Sequence, residues 1–289
     1  MRDALGHDIR VFIVPTLQRK DSMQFVDRAL AVRLEAAEDL GQIHYAQALA
    51  QEHPEADVAI EPIAGGHMVF AGCGSPIGRA IGCGLTQPVT VAGLDAIEHF
   101  YFSRGVEARI DVPPLAEESL LLLLQKRRYR LEELNNVLAR KLAPSDRFSE
   151  QASGFAIRAA SKKEAATCAR ILAQCFEAAE LANLLVPMFR SASLVLVAEV
   201  DGTIVATGDA LIAPQHQMVA LHGAGTLPPY RGRGIQTALM ACRLNEAVRA
   251  GSTLAVIVTR GGTTSQRNAE RLGFTLAYTK AVMKRGRDN

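Results

Sequence analysis

The stretch Thr226-Leu-Pro-Pro-Tyr-Arg-Gly-Arg-Gly-Ile-Gln-Thr237 constrains the fold more than any other part of the chain. β-forming residues run into two prolines, which stop a strand ladder, and then into a glycine-rich turn that opens a helix. The glycines let the backbone approach a ligand closely, and the first turn of a helix points unpaired amides outward. Those amides, the helix dipole and the charges of Arg231 and Arg233 make an anion site suited to a pyrophosphate. A P-loop needs Lys and Ser/Thr after its second glycine, and a dinucleotide fingerprint needs GxGxxG with an acid about 20 residues on; neither is present. An RGG-type nucleic-acid segment would be repeated, whereas RGRG occurs once. On the residues alone, a phosphate cradle and a plain strand-to-helix turn both stay open.

The pattern around this loop is mixed α/β. Residues 143–154 are polar, carry Pro144 and Gly154, and read as a linker. Phe155–Ala159 reads as a short strand, and Ser161 with Glu164 as a capping box. The next helix buries Ala165, Cys168, Ile171, Leu172 and Cys175 at spacings of three and four. Asp201-Gly202 between Leu194–Val200 and Thr203–Ile212 is a hairpin signal. A strand over Met218–Leu227, a helix from Gly232 to Gly251 and a strand over Leu254–Thr259 follow. Thr263 and Gln266 form a second capping box, Gly273 ends its helix, and Phe274–Lys284 is the last strand.

The first half repeats part of this plan. Arg104-Gly105 ends a helix over Thr90–Ser103 as Ala250-Gly251 ends its own, and Ala108–Val112 then parallels Leu254–Val258. Gly105 precedes Tyr129 by 24 residues and Gly251 precedes Phe274 by 23, and each aromatic opens a strand. In those strands Leu131 matches Leu276, Val137 matches Val282 and Arg140 matches Arg285. The expectation is two diverged copies of one domain: residues 1–142, a linker at 143–154, and residues 155–289.

Composition agrees with two soluble domains. The chain has 289 residues, 48% of them apolar and 21% charged, and aliphatic runs such as Leu120–Leu124 fall far short of the ~20 residues a bilayer span needs. No signal core precedes a cleavage site near Asp3 and Asp8, and the five cysteines form no CxxC pair and no zinc spacing with His. A cytoplasmic protein without a metal is expected. The net charge of +2 hides an asymmetry. Residues 231–289 hold eleven Lys and Arg against three Asp and Glu, which suggests an anionic partner or a solvated basic surface.

Pro228 to Leu239 resembles the acetyl-CoA loop of the GNAT superfamily of N-acetyltransferases, whose pattern is Gln/Arg-x-x-Gly-x-Gly/Ala. Arg231 and Gly234 match it, and Gln236 stands where Gly or Ala is usual, either crowding a diphosphate or donating to it. The order of elements from Phe155 to Arg285, including the helix Ser265-Gln-Arg-Asn-Ala-Glu-Arg-Leu-Gly-Phe274, is similar as well. The resemblance implies a mixed α/β sheet in two tandem GNAT-like acyl-CoA N-acyltransferase domains, with acetyl-CoA as cosubstrate. It implies that the strand before the loop splays from its neighbour and binds pantetheine through Ala224, Gly225, Thr226 and Leu227. Arg231 and the amides of Gly232, Arg233, Gly234, Ile235, Gln236 and Thr237 would hold the diphosphate. An amide near Ala224 would polarise the thioester carbonyl. Ser265 and Asn268 match polar positions that flank the cofactor, although capping or exposure explains them equally.

The usual glutamate base of the family falls on Ala220, and the usual tyrosine acid on Ala269. His222 lies two residues on, on the same strand face as Ala220, and an ordinary histidine pKa of about 6.5 suits a base. A hydrogen-bonded strand histidine is the plainer reading. Tyr278 is the nearest tyrosine to the missing acid, against a simple packing role. In the first half, Gly82-Cys-Gly-Leu-Thr-Gln-Pro-Val-Thr90 has no arginine, so that copy is expected to keep the fold without the cradle. His99, Phe100-Tyr-Phe102 and Leu120–Leu124 read as packing. The expected activity is acetyl transfer to a small-molecule or peptide amine in the second domain, by a monomer or dimer, with no nucleic acid or membrane partner. A non-catalytic acyl-CoA sensor is the alternative.

Overall fold

The computed structural model describes residues 25–75, 77–150 and 153–287. The segment with Asp3 and Asp8, and Gln151 and Ala152 of the linker, lie outside the described residues.

The first half opens with α1 (Arg28–Glu52), where the Asp27 side chain caps the Leu30 amide at 2.8 Å. Ala64 and Gly65, both at positive φ, turn the hairpin of β1 (Ala59–Ile63) and β2 (Gly66–Phe70). β3 (Ala80–Ile81) is only two residues long. α2 (Val91–Phe102) is capped by Thr90, and β4 (Ala108–Val112), α3 (Glu118–Lys126) and β5 (Arg130–Lys141) complete this half.

The second half holds β6 (Ala156–Ala159), α4 (Ala165–Cys175), α5 (Ala182–Ser191), β7 (Leu194–Val200), β8 (Thr203–Ala213) and β9 (Met218–Thr226). α6 (Ile235–Arg249), β10 (Leu254–Arg260), α7 (Thr264–Arg271) and β11 (Thr275–Arg285) follow. The Ser161–Glu164 capping box forms in full. The second box forms by half: Thr263 accepts from the Gln266 amide, but the Gln266 side chain turns to the Gly262 amide. The linker is held to the core, because Asn245 on α6 exchanges two hydrogen bonds with the Phe148 backbone and the Phe148 ring is buried.

All eleven strands join one sheet in the order β1-β2-β3-β4-β11-β5-β10-β9-β8-β7-β6. The last strand of each half has crossed into the other: β5 pairs with β10, β11 pairs with β4, and the two run antiparallel against each other. Their register obeys the repeat. Leu276 faces Leu138 while Leu131 faces Met283, which are the same pair once positions 145 apart (Leu131 to Leu276) are equated. The two register shifts, which skip Glu132 and Ala277, are also 145 apart (132 to 277). A local two-fold axis therefore relates the two central strands.

Two faces cover the sheet. α6 and α7 share a core with Val219, Leu221 and Ile257, whereas α1 packs on the alternate side chains Met218, Ala220 and Val256. At its other end α1 puts Tyr45, Ala46 and Leu49 against Val69 of the first half, so one helix spans both halves. Phe100 and Tyr101 of α2 and Leu120 and Leu124 of α3 are buried, and His99 is exposed. Among the described residues no helix is long and apolar enough to cross a membrane.

Candidate functional site

β9 and β10 run parallel only where Met218–Leu221 meets Leu254–Ile257. Beyond that point β9 continues to Thr226 and β10 to Arg260 without pairing, so the strands part like a V. On the other side of β9 the register with β8 shifts between Gly225 and His222, and Gly223 sits at φ +50°. A bulge and a splay thus meet within the residues His222–Thr226, whose main-chain groups on the β10 side have no strand to bond.

The chain then passes a short turn at Pro228–Tyr230 and enters α6 through Gly232 and Gly234, at φ +77° and +78°. Gly234 is the helix cap and offers no side chain, so the first-turn amides of Ile235, Gln236 and Thr237 stay available to an anion. Arg231 Nε donates to the Thr226 carbonyl at 3.0 Å, tying the loop to the end of β9 while its guanidinium lies at the exposed rim. Arg233 reaches instead to the Gly154 carbonyl at 3.4 Å. Gln236 turns back toward the sheet. Its amide donates to Thr226 Oγ1 at 2.9 Å and to the Thr207 carbonyl at 3.3 Å, fastening α6 to β8 and β9.

Ala224 is half-buried, Gly225 and Thr226 are buried, and Leu227 donates its amide to the Val205 carbonyl at 3.0 Å. Ser265 is exposed on the first turn of α7 and Asn268 is buried one turn later. The cradle residues are therefore contiguous in space from Ala224 to Thr237, while Ser265 and Asn268 sit on the helix behind β10.

His222 opens onto a cavity of 180 Å³ bordered by α1, α5, β8 and β9 and open to solvent on one side. Gly41 on α1 makes room for its ring: a side chain there would start 2.9 Å from His222 Cε1. Asp209 on β8 stands opposite His222 in the ladder and lines the same cavity. Its carboxylate presses against Gly223, where an added Cβ would lie 2.4 Å from Oδ1. Asp209 is 3% exposed, and among the described residues no hydrogen-bond donor reaches Oδ1. Burial pushes its carboxyl up, against the pull of His222 and Arg243. Arg243, wholly buried on α6, donates to the carbonyls of Asp209 (2.8 Å), His222 (3.2 Å) and Leu239 (3.2 Å), and burial draws its guanidinium down to about 10. Sequence reasoning missed Asp209, Arg243 and the α1 wall; the alternation of β8 and β9 around a hairpin was the signal that pairs Asp209 with His222.

Tyr278 requires a correction. Its hydroxyl donates to Glu35 at 2.7 Å inside the core that α1 makes with the sheet, and burial together with the Glu35 charge drives it far above the ordinary tyrosine range. It lies in the packed interior, away from the cavity, so it is no proton donor to a leaving group. Beside it Lys280 Nζ lies 3.0 Å from Glu35, 2.5 Å from Glu38 and 2.8 Å from Asp111. The oxygens of these three acids lie within 4.8 Å of one another, a grouping that could hold a metal ion, and the lysine ammonium takes that place. Burial alone would lower the Lys280 pKa, but the three carboxylates hold it well above normal.

Part of the basic excess of the last fifth is met by acids of the first half. Arg260 pairs with Glu133, Lys284 with Glu107 and Glu132, and Arg285 with Glu98, all acids of the first half.

Residues 163–274 match the acetyltransferase (GNAT) family. Comparison with the curated proteins finds no match. Among solved structures, a GCN5-related N-acetyltransferase from Kribbella flavida has a TM-score of 0.64 at 18% identity, covering 88% of this chain and 95% of that one. A tandem GNAT protein from the clavulanic acid biosynthesis pathway gives 0.57 at 14% identity, over 87% and 95%. A Drosophila protein gives 0.52 at 12% identity, over 92% and 99%. At such identities the likeness is one of fold, and it extends over both halves. The matched residues 163–274 hold the splayed strand and its glycine-capped helix, and the chain as a whole shares its fold with these GNAT structures.

Proposed function

We propose that the protein is an N-acetyltransferase that moves the acetyl group of acetyl-CoA to an amine, with its active site in the second half, residues 155–289. The observation that carries this reading is the parting of β9 from β10 just before the glycine-capped start of α6. That arrangement supplies free main-chain groups for an extended pantetheine and, at its end, orphan amides for a diphosphate. His222, at the bulge and open to the cavity, takes the proton of the acceptor ammonium. The amine nitrogen then bonds the thioester carbonyl carbon and the C–S bond breaks, and the second proton that the nitrogen sheds in becoming an amide passes through solvent to the leaving thiolate. In the first half the corresponding turn carries no arginine, and β3 touches β4 at the single pair Ala80–Ile110, which supports a purely structural role for that copy.

Calorimetry with acetyl-CoA tests the reading. Wild-type protein is expected to bind, and Arg231→Glu, which places an anion at the cradle rim, to bind at least tenfold more weakly. No binding by the wild type, or equal binding by the variant, would refute it. Binding without turnover over a broad amine panel would instead mark an acyl-CoA sensor.

A further inference from the structure

The 180 Å³ cavity beside His222 has a distinctive balance of groups. Its walls are mainly apolar, from Tyr45, Ile77, Leu185, Met188 and Leu211. Its charged groups are matched with one exception. Glu38 is paired with Lys280, and Arg79 lies 3.4 Å from Asp111 and 3.5 Å from Glu133. Of the two acids that line the cavity, Asp209 is the one with a buried carboxylate oxygen that meets no donor among the described residues. Arg243 offsets part of its charge from nearby, but the guanidinium donates to main-chain carbonyls and leaves Oδ1 without a hydrogen bond.

We propose that Asp209 receives the ammonium group of the acceptor, and that the acceptor is a small primary amine with one positive charge and a compact apolar body. This rests on the proposed acetyl transfer and names its substrate class. A carboxylate held out of water without a partner is costly, and an ammonium with three donors relieves that cost. The ammonium then lies against the Gly223 bulge and beside His222, next to the main chain that would hold the thioester. Burial raises the Asp209 carboxyl, and an incoming cation would offset that penalty. The space beside the carboxylate sets the size. Tyr45 on α1 donates to the Leu184 carbonyl on α5 at 2.8 Å, and Arg190 pairs with Glu52 at 2.6 Å, so the two helices are tied together along one side of a small cavity that opens to solvent on the other. A polyamine would place its second cation among apolar walls or beside Arg79, where no second unmatched acid waits.

Titration of phenethylamine into the full chain without acetyl-CoA tests the proposal, with phenethyl alcohol and spermidine as comparisons. Phenethylamine is expected to bind, phenethyl alcohol not to compete, and spermidine to bind more weakly. Asp209→Asn, which keeps the shape and removes the charge, is expected to weaken phenethylamine binding at least tenfold and leave acetyl-CoA binding unchanged. Met188→Lys, which puts a cation into the same wall, is expected to do likewise and serves if Asp209→Asn does not fold. Absence of phenethylamine binding, equal binding by wild type and these variants, or tighter binding of spermidine would overturn the proposal. A parallel titration with acetyl-CoA reports separately on acyl transfer, so failure of one reading is distinguishable from failure of the other.

Discussion

Lys280 stands opposite Asn135 in the β5–β11 ladder, and the two are the same position of the two repeats, 145 residues apart (135 to 280). The local two-fold axis passes between them. The symmetry is broken at its own centre, because one copy is an amide and the other an ammonium. Around that ammonium gather Glu35 and Glu38 from α1 and Asp111 from β4. Two elements of the first copy and one of the second are thus bound by a single buried charge.

Lys280→Met is therefore expected to be strongly destabilising. Removing one partner of a buried ionic group leaves uncompensated carboxylates, at a cost of about 3–5 kcal/mol. Urea unfolding followed by circular dichroism would show the loss, and a change below about 1 kcal/mol would show that water or another group takes over the pairing.

Gln236 occupies a position where GNAT loops carry a small residue, yet its side chain points to β8 and β9. Gln236→Ala is expected to lose two hydrogen bonds at about 1 kcal/mol each and to lower the melting temperature, with acetyl-CoA affinity within a few-fold of wild type. Thermal melts alongside calorimetry separate the two effects; loss of affinity with unchanged stability would mean that the amide reaches the diphosphate.

His222→Ala is expected to reduce kcat/KM with an accepted amine by 10²–10⁴-fold, the usual contribution of a positioned base, and to remove the acid limb of the pH–rate profile. Retained activity across pH 6 to 9 would assign the proton transfer to another group.

Glu164 gives a pH dependence with a defined sign. Its bonds to Arg158 and to the Ser161 amide and hydroxyl hold the carboxyl down at about 2, below the ordinary value of about 4.3. A carboxyl lowered by folding lends stability above its unfolded pKa and loses it as pH falls through the folded one. The melting temperature should fall between about pH 4.3 and 2, and Glu164→Gln should flatten part of that fall. An unchanged slope would place the acid sensitivity elsewhere.

Much of the second half was legible because its signals are local. The Asp201-Gly202 turn, the Ser161 box and the Gly232–Gly234 entry to α6 each announce an element through a few adjacent residues. The repeat was legible too, since Leu131, Val137 and Arg140 align with Leu276, Val282 and Arg285. The exchange of β5 and β11 was not, because nothing in a strand's own residues says which sheet edge it will join. α1 carries buried Glu35 and Gln42 among its alanines, touching the sheet on one side and α5 on another, so it shows no single apolar stripe. The cavity escaped because its walls come from α1 of the first half and α5, β8 and β9 of the second, which are far apart in sequence. Tyr278 misled by proximity in sequence to the missing acid, whereas burial had already committed its hydroxyl to Glu35.

The crossed strands also govern how the protein can be made. Until β11 has left the ribosome, β4 has no neighbour on one side and the first half ends in an open edge. Neither half can mature ahead of the other, as successive domains usually do during synthesis. β11, near the far end of the second half, closes the sheet that β1 to β4 begin, so the two copies mature as one folding unit.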